Sequence, residues 1–496
     1  MNGGTMRSAS RLALLAVAGV MAGAVSAQAA DLGGNCCADL EERVAELEAT
    51  TVRKGNRKVS LQLYGQVSQA LVFWDDGGET NTYLLENNAV KNRLGVRGSA
   101  KITSDWSAGY NIELQIRSGR SSSANQLPLA TTEGSSITVY NTRSVSLRSA
   151  NWFINSNAYG RITVGRTSDA SAGTGTINLA SPDGFAANGY VLGRSHQGFF
   201  LRRSGTKGNA GLSDFKWTNA WHRNYDDLAQ YDYAGNNSVV KYTSPFFLGQ
   251  SKRTGLQFQT AWGRDDTWTA GLRYVEDFGT FRLAAGVGYL QDTSRNLGQC
   301  TNLGDGTSGV NNVSNVDCSM WQASASIMHV PTGLYVSGGY GELTDNQRHA
   351  EANRLVAGLA NQISDKDSSW WVQAGWVAKL NSLGKTTFWG TYASFESSGN
   401  VANGSSSTTS ASLRTLGGGD VLNPFGATDA FVKTAEATIW GFGVTQDIDA
   451  AAMKLYLGYS RSSADFTLIN SATLAEAKSN SVDDIDIIYT GATIKF

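Results

Sequence analysis

The sequence predicts an all-β chain: a sixteen-stranded antiparallel transmembrane β-barrel behind a short N-terminal periplasmic helix. Three observations predict it. Alternating apolar and polar residues recur in sixteen segments, short and long connections take turns between them, and the final segment "IDIIYTGATIKF" ends on an aromatic residue, Phe496. In hydrocarbon every backbone N–H and C=O needs a partner, so alternating strands persist there only as a closed wall. The last strand is then expected to meet the first.

The elements follow in order. Arg7 and Arg11 precede "LALLAVAGVMAGAVSAQAA", whose Ala27-Gln28-Ala29 has the small-residue pattern of a cleavage site. Residues 1–29 therefore read as a secretory signal. Removing them takes away two of the 41 basic residues and none of the 42 acidic ones, leaving a net charge of about −3. That balance, with no long basic block, disfavours a nucleic-acid partner. After the signal no run of roughly 18 or more apolar residues follows, which argues against a helical membrane protein.

Residues 30–57 form a helical segment and linker. In "CCADLEERVAELEAT", Cys37, Leu40, Val44 and Leu47 recur at spacings of three, four and three, the seam of a coiled coil. Two turns of seam are marginal alone, so the helix is expected to self-associate, to meet a periplasmic partner, or to stand as a solvated amphipathic helix. The adjacent Cys36 and Cys37 do not bridge each other. Cys300 and Cys318 bracket a loop-like stretch and are the disulfide candidate, which an exported chain permits.

From residue 58 the period changes to two. In "KVSLQLYGQVSQALVFW", Val59, Leu61, Leu63, Gly65 and Val67 share one face, with Ser60, Gln62, Tyr64, Gln66 and Ser68 on the other. The same alternation marks 58–74, 91–103, 107–117, 142–153, 158–166, 238–246, 252–262, 267–276, 279–290, 319–329, 333–341, 369–380, 384–395, 436–446, 451–460 and 484–496. Eighteen strands result if 198–203 pairs with 211–216 in the wall. The long connections include 75–90 and 167–237, the second of which is the candidate pore-constricting loop of a barrel spanning 58–496.

Composition separates this barrel from a soluble sandwich. Charged residues are only 17% of the chain, proline falls to 5 residues and glycine rises to 56. Many strands joined by Gly-rich loops, with polar rows of Ser, Thr, Asn, Gln and Arg, suit a water-filled lumen. On the candidate outward rows Phe73, Tyr110, Trp262, Phe281, Tyr289, Trp370, Phe395, Trp440 and Phe442 fit a headgroup-level girdle, mostly near strand ends.

These segments resemble the general porins of Gram-negative outer membranes, particularly the alphaproteobacterial kind. The resemblance rests on "KVSLQLYGQVSQALVF", "RLGVRGSAKI", "YGRITVGR", "NSVVKYTSPFF" and the terminal "YTGATIKF", and the coiled-coil leader is similar to that of some members. It implies sixteen strands, a homotrimer, passive passage of small hydrophilic solutes, and a third loop folded into the lumen. It also implies an integral outer-membrane location with both termini in the periplasm, contact with outer-membrane lipids, and Phe496 as a C-terminal insertion signal for the barrel-assembly machinery.

The basic candidates for the pore lining are Lys91, Arg93, Arg97, Arg143, Arg148, Arg161 and Arg166, facing the loop acids Asp169, Asp183, Asp214, Asp226, Asp227 and Asp232. Opposed rows of this kind would set a transverse field. Trp217, Trp221 and Tyr225 are candidates for stacking on sugar rings, so a channel selective for sugars or anions is the alternative, and a structural or adhesion barrel a second one. Ser195, His196 and His222 lie in no hydrolase motif, and no catalytic group, cofactor or metal site is expected.

Overall fold

The computed structural model describes residues 59–87, 89–117, 119, 121, 124–127, 144–182, 192–220, 238–251, 253–263, 266–293, 317–398 and 415–496. The expected helix with Cys37, Leu40, Val44 and Leu47 lies outside them, as do Arg143, Asp183, Trp221, Tyr225, Asp226, Asp227, Asp232 and Cys300. Cys318 is buried and disulfide-bonded.

Sixteen strands make the wall: β1 (Gln62–Asp75), β2 (Arg93–Lys101), β3 (Trp106–Arg117), β4 (Ser144–Ser156), β5 (Gly160–Arg166), β6 (Ser238–Thr243), β7 (Gly255–Gly263) and β8 (Thr267–Asp277), followed by β9 (Phe281–Asp292), β10 (Cys318–His329), β11 (Leu334–Asp345), β12 (Lys366–Asn381), β13 (Gly384–Ser397), β14 (Ala430–Ile448), β15 (Met453–Asn470) and β16 (Ile485–Lys495). Each is antiparallel to the next, and β16 returns to β1 with Val67 opposite Ile494 and Leu71 opposite Thr490. The seam runs on into the last residue. Gly65 N–H donates to the Phe496 carbonyl (2.8 Å), Phe496 N–H donates back (3.1 Å), and the Phe496 ring lies over Gly65, where any side chain would collide with it. Closure gives the first and last wall strands a partner where each would otherwise be an open edge.

The second wall strand departs from the expected single run. After a short turn at 76–79 the chain pairs again with β1 as Thr80–Glu86, Asp75 facing Thr80, then jogs inward at 87–92 before β2. The long loop expected at 75–90 is thus half strand. The jog is held by Ser68 N–H on Asn92 Oδ1 (2.7 Å) and by Asn87 Nδ2 on the Tyr456 hydroxyl (2.8 Å).

The eighteen-strand alternative is corrected in the same way. Phe200–Arg202 and Leu212–Lys216 do pair with each other, but as a separate two-stranded hairpin inside the barrel, which meets the chain before β16 at a bridge between Arg203 and Val482. Its partner is an apolar inner surface. Ala70, Val72 and Trp74 on β1, Ala435, Ala437 and Ile439 on β14, Ala464, Phe466 and Leu468 on β15, and Ile485 and Ile487 on β16 all face inward and are buried with Phe199, Leu201, Phe215 and Trp217. Where a polar lumen row was expected, this quarter of the wall carries an internal hydrophobic core instead.

Outward rows remain aliphatic and aromatic. From β7 to β15 each strand contributes one outward aromatic toward the loop end: Trp262, Trp268, Tyr289, Trp321, Tyr340, Trp370, Tyr392, Trp440 and Tyr459. Neighbours touch, with ring centroids 5.0 Å apart for Trp321 and Tyr340 and 5.3 Å for Trp370 and Tyr392. Phe395 is a correction: it turns inward and is 3% exposed, because the register pairs it with Ser369 rather than with the outward Trp370.

Above the wall, helix α1 (Arg348–Leu355) is pinned by a buried ion pair. Arg348 reaches Asp367 through both Nη atoms (2.6 and 3.0 Å), lies 3.8 Å from Asp345, and donates to the Ser364 and Ser398 carbonyls. Arg348→Met would strand two buried carboxylates, a loss of about 3–5 kcal/mol. Segment 346–365 should then become the first site of protease cleavage, and unchanged cleavage would show that the cap is held otherwise.

Candidate pore constriction

The chain leaves β5 and turns into the barrel along a prepared track. Gly271 on β8, Gly286 and Gly288 on β9 and Gly339 on β11 all point inward, and a Cβ on each would strike the loop: Ala170, Ile177, Thr174 and Gly175 respectively. Glycine permits that close approach. Polar inner-row residues then hold the loop backbone. Thr269 Oγ1 accepts from Ala170 N–H (3.0 Å), Gln322 Nε2 donates to the Ser171 carbonyl (2.7 Å), and Ser324 and Ser326 accept from Ile177 N–H (2.9 Å) and Leu179 N–H (3.0 Å). Trp371 Nε1 donates to the Gly175 carbonyl (3.0 Å), and Lys454 on β15 reaches the Ser181 carbonyl (3.1 Å).

Residues 192–220 form the second arm. Phe199 packs edge-on against Trp74 (5.1 Å), Phe215 against Phe466 (5.9 Å), and Arg202 pairs with Asp76 (2.9 Å). The unusual length of the loop has a physical cause: this arm covers the apolar inner quarter of β14–β16 and β1, which would otherwise meet water.

The basic candidates divide. Lys91 is a correction: it sits in the jog with a left-handed φ of 54° and is 4% exposed, so it lines no lumen. Arg93 and Arg97 project inward from β2, and Arg161 from β5, as their alternation implied. Arg148 falls at a register shift between β3 and β4 and turns inward to Glu113, Nε to Oε1 2.6 Å. That bulge explains the broken alternation of its strand. Arg93 lies 4.0 Å from the same carboxylate, and the Tyr64 hydroxyl donates to it (3.0 Å). Arg166 Nε donates to the Arg148 carbonyl (3.2 Å).

The loop acids within the described residues do not answer those arginines. Asp169 is buried at the root of the loop, where its Oδ1 accepts from Ser171 N–H (2.8 Å) and Ala172 N–H (3.0 Å). Asp214 is exposed beside Asp420, to which its N–H donates (2.8 Å). Trp217 is a further correction: it is 1% exposed and packs edge-on against His196 (5.7 Å), so it offers no face to a sugar. Glu113, Lys241, Arg273, the inward glycines and the Gln322-Ser324-Ser326 row were not singled out from the sequence. The last could have been: "QASAS" repeats polar residues at a spacing of two on one face.

Burial pushes the Asp169 carboxyl up to about 6, against hydrogen bonds from Ser171 and Ala172 and the Lys241 ammonium, which pull it down. A proton is held more tightly when the loop is docked, so this residue's stabilising contribution is complete below the ordinary value of 3.8 and is lost as pH rises through about 6. Resistance of the loop root to protease should therefore fall between about pH 4 and pH 6, and Asp169→Asn should flatten the change. An unaltered pH profile in that variant would remove Asp169 from the account.

A closed sixteen-stranded barrel with a girdled outer face and a loop folded against its inner wall is an integral outer-membrane channel. The chain belongs to the Gram-negative porin family, whose family model matches residues 13–467, and it forms a path for passive diffusion of small hydrophilic solutes. Among solved structures it is similar to the anion-selective porin of Comamonas acidovorans (TM-score 0.47, 14% identity, 88% of this chain and 100% of that one). It is also similar to OmpF of Salmonella typhi (0.45, 13%, 90% and 100%) and to OmpT of Vibrio cholerae (0.45, 14%, 90% and 99%). No curated protein matches the sequence.

Proposed function

We propose that the channel is a homotrimer in which each barrel carries its own size-limited path along β1–β8, with the tight turns and both chain ends in the periplasm. The observation that carries this reading is the contrast between inner rows. Gln62, Arg97, Ser99 and Lys101 on β1 and β2 are exposed, whereas the inner rows of β10 and of β12–β16 are buried beneath the loop over most of their length. Water therefore has one side of the barrel to occupy.

The outer face supports association. Among the described residues between Thr80 and Thr243, the loop-end level of the wall lacks the aromatic row and presents Leu84, Ile116, Val145 and Val240 instead. An aliphatic sector interrupting an aromatic girdle suits contact with protein rather than with headgroups. Phe496, exposed on the outer face, suits recognition by the barrel-assembly machinery, and the segment 30–57 a periplasmic contact.

Catalysis is not part of this reading. Ser195 Oγ meets His196 Nδ1 (2.8 Å) and His196 Nε2 meets Ser462 (2.9 Å), but all three are wholly buried, and burial depresses the imidazole to about 3. The set ties the loop to the wall as a neutral hydrogen-bonded chain.

Purified protein in planar bilayers should open in steps of three with nonsaturating passage of small neutral solutes. Insertion in single steps, or a closed barrel giving no current, would count against the trimeric diffusion channel.

A further inference from the structure

Strands β2–β6 carry eight basic residues and a single acid, Glu113. That acid is already engaged by Arg148 and Arg93. Two other inward arginines have a different environment. The Arg97 guanidinium lies over the Tyr64 ring, 4.9 Å from its centroid, with Nε donating to Gln62 (2.9 Å). The Arg161 guanidinium lies over the Phe153 ring at 3.5 Å; its Nε is buried with no hydrogen-bond acceptor, so the Nη groups are the donors left for a solute. Among the described residues neither meets a carboxylate.

Stacking on a ring face holds a guanidinium flat without neutralising it. Its N–H edge then stays available, and a planar fork of donors matches the two oxygens of a carboxylate or phosphate better than it matches a spherical ion. Burial at Arg161 weakens competition from water, so a passing oxyanion recovers part of what it loses on entering the lumen. Meanwhile Asp169 is covered and Asp214 turns to Asp420, so these acids set up no opposing field.

We propose that Arg97 and Arg161 form a two-step relay for small oxyanions, carboxylates or phosphate, giving this pore an anion preference. The inference deepens the diffusion reading and rests on it. A relay of two ring-backed guanidiniums that meet no carboxylate among the described residues binds briefly at each step.

The test uses the full-length mature protein in planar bilayers under a potassium chloride gradient, with acetate and inorganic phosphate added separately. The expected reversal potential has the anion-selective sign, and acetate, phosphate or both reduce chloride current in a saturable way, the two arms separating carboxylate from phosphate recognition. Arg97→Gln with Arg161→Gln should abolish the saturable block and move the reversal potential toward zero. Arg97→Lys with Arg161→Lys should keep the sign while weakening the block, because charge remains and the fork is lost. Heat-dependent gel mobility identifies barrels that have folded. Cation preference in the unaltered protein, or a block that survives both glutamine substitutions in folded barrels, overturns the relay alone. No current overturns the channel reading with it.

Discussion

Phe199→Ala is expected to destabilise the internal hairpin by about 3–5 kcal/mol, the usual cost of truncating a fully buried aromatic side chain, and to make the pore wider and noisier. Phe199 is wholly buried between the hairpin and the inner wall and meets Trp74 edge-on. Its loss opens a cavity in the apolar contact between loop and barrel, beside the backbone bonds from Asp483 N–H to the Arg202 carbonyl (2.9 Å) and from Ser204 N–H to the Ser481 carbonyl (2.8 Å). The second arm should then leave the wall for part of the time. Single-channel recordings should show a new, higher conductance level, and the thermal unfolding of the solubilised protein should gain an early step. Unchanged recordings would mean that the arm is held by its polar ties, among them Arg202 on Asp76, His196 on Ser462 and the backbone bonds to Ser481 and Asp483.

Gly288→Val should act on the first arm with comparable force. The valine Cβ would fall on Thr174 Oγ1 and within 2.9 Å of the Ser171 side chain, both parts of the segment that Gln322 and Ser324 hold. Because β9 is fixed by pairing along its length to β8 and β10, the loop rather than the wall must move. Conductance should rise several-fold while the barrel still folds, as heat-dependent mobility would report. A mutant pore of ordinary conductance would show that the loop can shift sideways without widening the path.

Much of the architecture was legible in a local pattern. The period of two is carried by neighbouring residues, and lipid outside imposes it strand by strand, so all sixteen segments, the outward rows apart from Phe395, and the closure through Phe496 could be read directly. Arg93, Arg97 and Arg161 face inward because their strands alternate without interruption. Arg148 was harder because one extra residue at its bulge shifts the parity on either side.

The inner side obeyed no such local rule. Lys91, Phe395 and Trp217 each sit in a sequence that admits an exposed or outward placement, and each is buried by tertiary packing: Lys91 within the jog beside β1, Phe395 in the internal apolar cluster, and Trp217 in the same cluster against His196. "GFFLRR" reads as a wall strand until the apolar inner rows of β1, β14, β15 and β16 are brought together to receive it.

By itself, the order of residues determined a closed sixteen-stranded wall with its oily face outward, because lipid contact and backbone pairing act on every strand alike. Only the tertiary structure decided where water remains inside. That choice depends on which surfaces the long loop covers, through contacts between residues more than a hundred positions apart, and it leaves the arginine-rich side of the barrel open.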